Sequence, residues 1–330
     1  MSNSRLDVLQ DPPGPGPIRN FTGYGRRGLK VTWPNGAKVA LALVLNYETG
    51  AEASWPSGDR KNDRIFEFPY PLDSRYRDLA NESVSEYGGR AGVWRLQRML
   101  DDLKLKITFS GCAVAFARNP EVGAYVKEAG HEGSSHGYRW EEVWTMSRQE
   151  EKERIAAAIE IIRDTCGERP IGWQTRHSGS LNTRELLVEE GGFLYDCDSV
   201  ADDLPFYADV KGSKHLVLPY SSTYNDHRFI IAQGYSKPQD FFDYCKDGID
   251  YLRREGETRP KVMTIGIHAH WMGQAARTAA LHRFLEYAMS TGEVWIARRR
   301  DIGHDGALEA TDLRLEGVHR DASGLGGLSG

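Results

Sequence analysis

The chain has 330 residues, of which 40% are hydrophobic and 27% are charged, a balance typical of an ordinary globular protein. Its 42 basic and 47 acidic side chains leave a formal net charge of −5, which gives no support to nucleic-acid binding through a clustered basic face. No apolar run approaches the roughly 18 residues of a membrane-spanning helix, and the N-terminus lacks signal-peptide features. The four cysteines are scattered without a CxxC motif, which favours a reducing compartment. We therefore expect a cytoplasmic protein that binds neither nucleic acid nor membranes.

The two ends of the chain lack the patterns of packed structure. Residues 1–30, which contain the run DPPGPGP, predict an extended N-terminal arm. The polar, glycine-rich residues 303–330 predict a flexible C-terminal tail. Just before that tail, the basic run at 298–300 indicates the solvated end of an element. The remaining residues, 31–302, are expected to form a single domain.

Within this domain, apolar runs that predict buried strands alternate with segments of helical periodicity. The predicted strands lie, in chain order, at 38–47, 106–116, 170–174, 193–199, 215–220, 261–268 and 293–297. The predicted helices lie at 90–103, 119–130, 147–167, 182–191, 238–255 and 275–289, and the third begins with a capping box at Ser147 and Glu150. This alternation predicts an α/β fold with parallel strands, either an open doubly wound sheet or a barrel. The turn after the first strand, NYETG, lacks a GxGxxG pattern, which disfavours a dinucleotide-binding fold.

Polar side chains recur where the predicted strands end, and in parallel α/β folds these ends form the active site. They are Tyr47 and Glu48, then His131, Glu132, His136, Tyr138, Arg139 and Trp140, then Arg176 and His177, then Asp196, Asp198, Asp202 and Asp203, and finally His268 and His270. Histidines and carboxylates at several strand ends are what hydrolysis of an amide-like bond requires. The sequence therefore predicts a hydrolase that acts on carbon–nitrogen bonds other than peptide bonds.

Several of these residues stand in longer motifs. The run GHExxSHGY at 130–138, together with Asn46-Tyr47-Glu48 at the end of the first strand, resembles the polysaccharide deacetylase (NodB homology) superfamily. The runs EYGGRAGVWR at 86–95, SHGYRW at 135–140, YDCD at 195–198 and DDLP at 202–205 resemble its metal-independent allantoinase and cyclic-imidase branch. The resemblance extends from about Trp33 to Asp301. It implies a distorted, incomplete (β/α) barrel, which agrees with our count of about seven parallel strands, and it implies a homo-oligomer.

The same resemblance bears on metal binding. Metal-dependent members hold a divalent ion with one aspartate and two histidines four residues apart, whereas here Tyr47-Glu48 replaces the aspartate pair and Trp140 replaces the second histidine. An indole nitrogen only donates hydrogen bonds, so Trp140 cannot be a ligand. Glu48 and His136 alone are one ligand short of a catalytic zinc site. We therefore expect no cofactor; the alternative is Zn²⁺ held by Glu48, His136 and one of His268, His131 or Asp198.

Without a metal, the reaction needs a base for the water and an acid for the leaving nitrogen. Glu48 is the expected base, since partial burial at the end of an apolar strand would raise its pKa. The alternative is a structural role for Glu48 in an ion pair with Arg90 or Arg139. His136 would orient the carboxylate or relay the proton. His268 aligns with the late catalytic histidine of the superfamily, which implies the role of general acid.

The remaining predicted site residues would bind the substrate. Arginine forks can hold a carbonyl or carboxylate, and tryptophan rings can stack on a flat ring. The predicted substrate-binding residues are Tyr47, Glu86, Arg90, Arg139, Trp140, Trp173, Arg176, Asp198 and His270. Such a set suits a small, flat, cyclic amide better than a sugar polymer.

Two segments depart from the pattern that the resemblance implies. The family follows its late histidine with Gly-Arg-Pro-x-Arg, but here the stretch reads GQAAR at 273–277, and His270 is an added imidazole. The loop at 172–182 is one residue longer, which displaces Arg176 and His177. We therefore expect ring opening of a hydantoin-like substrate other than allantoin. Two alternatives remain open: a metal-dependent N-deacetylase of an acetylated sugar or small amide, and a non-catalytic binding protein.

Overall fold

The computed structural model describes residues 16–305, apart from residues 18, 27, 30, 65, 66, 68, 69, 71 and 233. Its strands are β1 Val39–Tyr47, β2 Thr108–Gly111, β3 Glu132–Ser135, β4 Gly172–Trp173, β5 Tyr195–Asp196, β6 Phe206–Val210, β7 Ser213–Val217, β8 Lys261–His268 and β9 Val294–Ala297. Its α-helices are α1 Leu79–Tyr87, α2 Val93–Leu103, α3 Ala113–Arg118, α4 Pro120–Glu128, α5 Arg148–Cys166, α6 Thr183–Glu190, α7 Pro238–Glu255, α8 Ala275–Ser290 and α9 Arg299–Asp305. A π-helical turn, Gly88–Gly92, joins α1 to α2, and 3₁₀ turns lie at Pro34–Gly36, Trp55–Ser57, Val143–Thr145 and Asp226–Phe229.

The strands of these residues form one curled sheet in the order β6-β7-β5-β4-β3-β2-β1-β8, with β9 also paired to β1. All pairs are parallel except β6 with β7, which is antiparallel. The curl leaves β8 and the β6–β7 hairpin as the two ends of a half-barrel. The predicted incomplete (β/α) barrel is confirmed, although the sheet has nine strands where about seven were expected.

Strand β1 is the centre of the sheet, and its alternating side chains define two layers. Leu41, Leu43 and Leu45 pack against the surrounding helices, whereas Ala42 and Val44 face the inside of the half-barrel. Every residue of the strand is buried. The same alternation continues beyond the carboxyl end of the strand. It determines which of the polar residues there face the inside of the half-barrel and can form one site.

Long periodic elements match the sequence prediction closely. Helix α7 and strand β8 coincide with the predicted ranges, and the capping box of Ser147 and Glu150 opens α5. The predicted strand at 106–116 is wrong beyond Gly111, because the chain turns there into α3. The Phe116 ring of that helix packs on Gly111, only 2.1 Å from the position that a Cβ atom would take, so a larger residue would not fit there. Strands β3 and β6 and helices α1, α3 and α9 were not predicted.

The predicted ends of the domain fall partly outside the described residues, which exclude 1–15 and 306–330. The described end of the predicted arm contacts the barrel: Leu29 is buried, and the Tyr24 hydroxyl donates to the Pro205 carbonyl at 2.5 Å. Helix α9 continues to Asp305, so a tail that begins at 303 is wrong. The prediction that the basic run at 298–300 is solvated is also wrong for Arg299, which is only 1% exposed.

Two further expectations concern the whole described chain. All four cysteines are buried and none forms a disulfide, in agreement with their scattered spacing. Of the helices that the structure describes, none combines the length and the apolar character needed to cross a membrane.

Candidate active site

A buried carboxylate lies between two imidazoles at the carboxyl edge of the sheet. Glu48 follows β1, faces the inside of the half-barrel and is 4% exposed. Its Oε1 atom lies 3.0 Å from Nε2 of His136, and its Oε2 atom lies 3.3 Å from Nε2 of His268. The three residues expected to act in catalysis are therefore in direct contact, because they follow β1, follow β3 and end β8 in one parallel sheet.

The backbone fixes the orientation of His136. Its Nδ1 donates to the Gln174 carbonyl at 2.8 Å, since a carbonyl oxygen can only accept. Its Nε2 therefore faces the Glu48 carboxylate, 3.0 Å from Oε1. The imidazole ring is thus held between the Gln174 carbonyl on one side and Glu48 on the other.

His268 has a second carboxylate partner, Asp226, which begins a 3₁₀ turn and is completely buried. The Asp226 Oδ1 atom lies 2.6 Å from Nδ1 of His268, and its Oδ2 atom accepts the His268 backbone N–H at 2.8 Å. Asn225 caps the turn by accepting from the backbone N–H of His227 at 2.8 Å. The His268 ring is therefore held between Glu48 and Asp226.

These contacts set the charges of the site. Burial by itself would raise the pKa of Glu48, but hydrogen bonds and charge interactions with His136 and His268 outweigh it and hold that pKa well below its usual value. The raised pKa expected for Glu48 is therefore wrong. Burial opposes the charged form of His268, but Asp226 and Glu48 prevail and raise its pKa to about 10. At neutral pH the site contains an ionised Glu48 beside a protonated His268.

Two aromatic residues after β8 pack against the His268 ring. The ring centroid of Trp271 lies 4.6 Å from that of His268 and 4.5 Å from that of His270. Burial and the neighbouring His268 charge lower the pKa of His270 to about 3, so His270 is neutral. The His270 Nε2 and the Trp271 indole nitrogen are buried without a hydrogen-bond partner. The hydrogen-bonding capacity of these two nitrogens is therefore unused in the structure, and Trp271 was not predicted.

Arg176 and Trp140 form a second pair near the carboxylate. The Arg176 guanidinium lies 3.7 Å from the centroid of the Trp140 ring, so this ring face is covered by the arginine. The adjacent His177 interacts electrostatically with both Glu48 and His136, which places this loop beside the site. Among the described residues, no carboxylate forms an ion pair with Arg176. Its guanidinium can therefore still bind a substrate oxygen.

Two predicted substrate-binding residues have structural partners instead. Arg139 donates to the Glu52 carbonyl at 3.0 Å and to the Asp59 carboxylate at 2.6 Å, so it anchors the loop that precedes α1. Tyr47 points to the helix layer, where its ring lies 5.4 Å from that of Phe116, because side chains alternate along β1. Both residues thus have structural contacts of their own, and their predicted role in substrate binding stays a prediction.

Four more predicted residues also have structural contacts of their own. Glu86 and Arg90 pair with each other at 3.6 Å while 64% and 80% exposed, so the alternative of a Glu48 ion pair with Arg90 or Arg139 is wrong. Trp173 packs on Phe193 in the helix-side core. Asp198 accepts from the backbone N–H and hydroxyl of Thr175 at 2.6 and 2.5 Å, and burial together with Asp196 raises its pKa.

The alternative zinc site would need Glu48, His136 and one of His268, His131 or Asp198 as ligands. His131 precedes β3, at the opposite edge of the sheet from His136, and its Nδ1 accepts from the Ile107 backbone. Within the described part of the chain, no group of three or more His, Cys, Asp or Glu side chains is arranged to hold a metal ion. Each oxygen of Glu48 is instead directed at a different histidine, as in a hydrogen-bonded cluster of a carboxylate and two imidazoles.

The sequence reasoning missed the carboxylate that charges His268. Asp226 follows the predicted strand at 215–220, and inspecting polar residues after that strand as well would have revealed it. Gln174 and Asn46 were also missed. Asn46 precedes Glu48, faces the same interior, and its Nδ2 lies 3.4 Å from Nε2 of His268 and 3.0 Å from the Tyr220 hydroxyl.

The fold and this site define an α/β half-barrel hydrolase with a carboxylate–imidazole centre. The polysaccharide deacetylase family profile matches residues 85–193. A Schizosaccharomyces pombe protein named for that family is 32% identical over 306 residues, which are 86% of this chain and 95% of the relative. The chain belongs to the polysaccharide deacetylase family, whose members are hydrolases.

Two solved structures extend the comparison. The structure of PuuE allantoinase is 43% identical with a TM-score of 0.84, and the match covers 88% of this chain and 98% of that one. A Pseudomonas aeruginosa PAO1 structure, assigned to the polysaccharide deacetylases, is 41% identical with a TM-score of 0.84 and the same coverage. The resemblance found in the sequence motifs is confirmed.

Proposed function

We propose that this protein hydrolyses a C–N bond of a small cyclic amide or imide of the hydantoin kind, by acid–base catalysis without a metal. The observation that carries the proposal is the Glu48 carboxylate between the Nε2 atoms of His136 and His268, at 3.0 and 3.3 Å. This arrangement provides a proton acceptor and a charged proton donor next to each other. The similarity to PuuE allantoinase supports the reaction class.

In the first step, a water molecule attacks the ring carbonyl carbon. Glu48 accepts a proton from this water, a C–O bond forms, and the carbonyl oxygen becomes an oxyanion. The low pKa of Glu48 ensures that the carboxylate is ionised and able to accept, although it makes Glu48 a weak base. His136, tethered to the Gln174 carbonyl, keeps the carboxylate oriented.

In the second step, the oxyanion collapses and the C–N bond breaks. The leaving nitrogen takes the Nε2 proton of His268, while Asp226 retains the other ring proton through the 2.6 Å contact with Nδ1. The proton on Glu48 then returns to Nε2 across the 3.3 Å contact, and both groups regain their starting states. The product is a ring-opened carboxylic acid with an N–H at the former leaving nitrogen.

The surroundings favour a small flat substrate over a polymer. The side chains of Glu48, His136 and His268 are at most 9% exposed, which restricts the opening to the reacting groups. The Arg176 guanidinium lies on the Trp140 ring and forms no ion pair among the described residues, so it can bind a ring oxygen. An imide or hydantoin presents such carbonyl oxygens on a small flat ring.

We further propose that the preferred substrate is not allantoin. Gln274 and Ala275 replace an arginine and a proline of the pattern that the sequence resemblance implies, at the N-cap and first residue of α8. Exchanging an arginine for a glutamine removes a charge and a two-pronged donor. Arg277, the arginine that remains, donates to the Glu67 carboxylate at 2.7 Å.

A turnover screen tests this proposal directly. The purified chain is assayed on hydantoins including allantoin, cyclic imides, lactams and N-acetylated sugars, each with and without EDTA. We expect a cyclic amide to be opened at an unchanged rate in EDTA, and allantoin to be slower than the best substrate. Glu48→Gln should lose about 10²–10⁴ in rate. The matched control is Glu153→Gln on the exposed face of α5.

Three results would contradict the proposal. Turnover of acetylated sugars alone, or EDTA inactivation that zinc reverses, would favour the metal-dependent deacetylase. Unchanged turnover in a folded Glu48→Gln variant would remove the carboxylate from the mechanism. Allantoin opened as fast as any other ring would refute the specificity argument while leaving the reaction class intact.

A further inference from the structure

The loop after β4 carries two groups that belong to the candidate active site. Gln174, its first residue, accepts from Nδ1 of His136 through the backbone carbonyl at 2.8 Å. Two residues later, the Arg176 guanidinium lies 3.7 Å from the centroid of the Trp140 ring. We call residues 174–179 the Arg176 loop. Its conformation determines where the proposed substrate-binding arginine lies relative to His136.

The tip of the Arg176 loop is strained. The backbone N–H of Ser178 donates to the Arg176 carbonyl at 2.9 Å, which closes a three-residue turn with His177 at its centre. The φ angle of His177 is 63°, a left-handed value that is unfavourable for a residue with a Cβ atom. A strained turn persists only where the surrounding contacts hold it. The contacts at the base of the loop therefore decide whether this turn is kept.

Asp198, two residues after β5, provides contacts at that base. Its Oδ1 accepts from the backbone N–H of Thr175 at 2.6 Å, and its Oδ2 accepts from the Thr175 hydroxyl at 2.5 Å. The Thr175 Oγ1 in turn accepts from the indole N–H of Trp173 at 2.9 Å. The Asp198 Oδ2 also lies 3.1 Å from the position that a Cβ atom of Gly179 would take. The carboxylate thus lies between the two ends of the Arg176 loop.

Asp198 is itself fixed to the barrel. Its backbone N–H donates to Oδ1 of Asp196 at 2.9 Å, and Asp196 accepts two bonds from the Arg184 guanidinium at 2.6 and 2.9 Å. Burial and the neighbouring Asp196 charge raise the pKa of Asp198 to about 6. At pH 8 the carboxylate is therefore ionised and can accept both bonds from Thr175.

The two site groups of the loop do not depend equally on Asp198. Gln174 has two further bonds, because its backbone N–H donates to the Ser135 carbonyl at 2.9 Å and its Oε1 accepts from Arg299 at 2.7 Å. Arg176, in contrast, forms no ion pair with any carboxylate in the part of the chain that the structure describes. Loss of the Asp198 carboxylate should therefore displace Arg176 and leave the bond between Gln174 and His136 in place.

We propose that Asp198 is a positioning residue for the proposed reaction, and that it sets the place of the Arg176 guanidinium by holding Thr175. The inference rests on the proposed function, since it takes Arg176 to bind a ring oxygen of the substrate. Asp198 itself makes no contact with the substrate. Such a residue affects substrate binding more than turnover, whereas a residue that only stabilises the fold does not separate the two.

The experiment measures kcat and KM on the best cyclic amide at pH 8 for wild type, Asp198→Asn, Arg176→Gln and the double variant. Asparagine keeps the size and one acceptor oxygen but loses the charge. We expect KM to rise about tenfold or more in Asp198→Asn, with kcat within about twofold of the wild type. The double variant should have the KM of Arg176→Gln, because Asp198 acts through that arginine. Asp247→Asn, on the exposed face of α7, is the matched control and should behave as the wild type.

Substitutions of Thr175 test the same contact from the loop and replace Asp198→Asn if circular dichroism shows that this variant does not fold. Thr175→Val removes the hydroxyl that donates to Asp198, whereas Thr175→Ser retains it. We expect a raised KM in Thr175→Val and a wild-type KM in Thr175→Ser.

Three results would overturn the inference while the proposed function stands, in an enzyme whose activity requires Glu48. These are an unchanged KM in folded Asp198→Asn, a loss confined to kcat, and effects of Asp198→Asn and Arg176→Gln on KM that multiply in the double variant. A wild type that opens no cyclic amide is a different result, which refutes the proposed function and this inference with it.

Discussion

Replacing Asp226 by asparagine tests whether His268 is held as an imidazolium. The substitution preserves size but removes the negative charge 2.6 Å from Nδ1 of His268. His268 must be protonated to donate to the leaving nitrogen, so activity is present below its pKa and is lost as the pH rises through it. In the wild type that pKa is about 10, against an ordinary value of 6.5.

The size of the effect follows from these two values. At pH 9, a group with a pKa of about 10 is about 90% protonated, whereas a group with a pKa of 6.5 is about 0.3% protonated, a ratio of about 300. The Glu48 carboxylate, 3.3 Å from Nε2, remains in the variant, so about 300-fold is an upper limit. At pH 6 both forms are largely protonated, and the difference in rate should be small.

The assay is the pH dependence of kcat on the best cyclic amide between pH 6 and 10, for wild type and Asp226→Asn. Asp243→Asn, on the exposed face of α7, is the matched control and should follow the wild type. Histidine ¹⁵N NMR titration, with His268 assigned from a His268→Gln variant, measures the same pKa without a substrate.

Two results would refute the reasoning. A variant with the wild-type alkaline limb would mean that Asp226 does not set the charge of His268. An equal loss of rate at every pH would mean that Asp226 only positions the ring.

Two further predictions concern stability. In Gly92→Ala, the new Cβ would lie 2.0 Å from the Ala269 carbonyl oxygen, so we expect the free energy of unfolding in urea to fall by about 1–3 kcal/mol. The control is Gly89→Ala, whose Cβ would lie 3.5 Å from its nearest neighbour. Equal losses of stability in the two variants would refute the argument. Because the pKa of His268 is raised, its contribution is complete below pH 6.5 and disappears as the pH rises through about 10. The wild type should therefore lose more unfolding free energy between pH 7 and 10 than Asp226→Asn, and parallel losses would contradict this.

Periodicity predicted the long elements of the fold but not the short polar ones. β1, α7 and β8 carry continuous apolar runs or a wide apolar face, and their ranges follow from the sequence almost residue by residue. Strand β3 reads EGSS and has no apolar residue, because its interior face contributes polar groups to the barrel. A hydrophobicity pattern cannot predict such a strand, because all four of its residues are buried although none is apolar.

A similar division holds for the candidate site. Glu48, His136 and His268 could be placed together because parallel strands bring their carboxyl ends to one edge. The partners of Arg139 and Arg90 could not be predicted from the sequence, because they depend on how the connecting loops fold back over that edge. The pKa of Glu48 was misjudged for a related reason: burial was considered alone, whereas two histidines reverse its effect.

The double pairing of β1 has a consequence for motion. The strand is hydrogen-bonded to β8 along one edge and to β9 and β2 along the other, so its amides should exchange with solvent only when the whole domain unfolds. Glu48 follows this strand directly, whereas Asp226 belongs to a four-residue 3₁₀ turn that is joined to β8 by the bridge between Asn225 and Gly266 and by the bond from the His268 backbone N–H. The carboxylate that charges His268 is therefore attached to the sheet by few bonds. Separation of this turn from β8 would remove the negative charge beside His268 and lower its pKa.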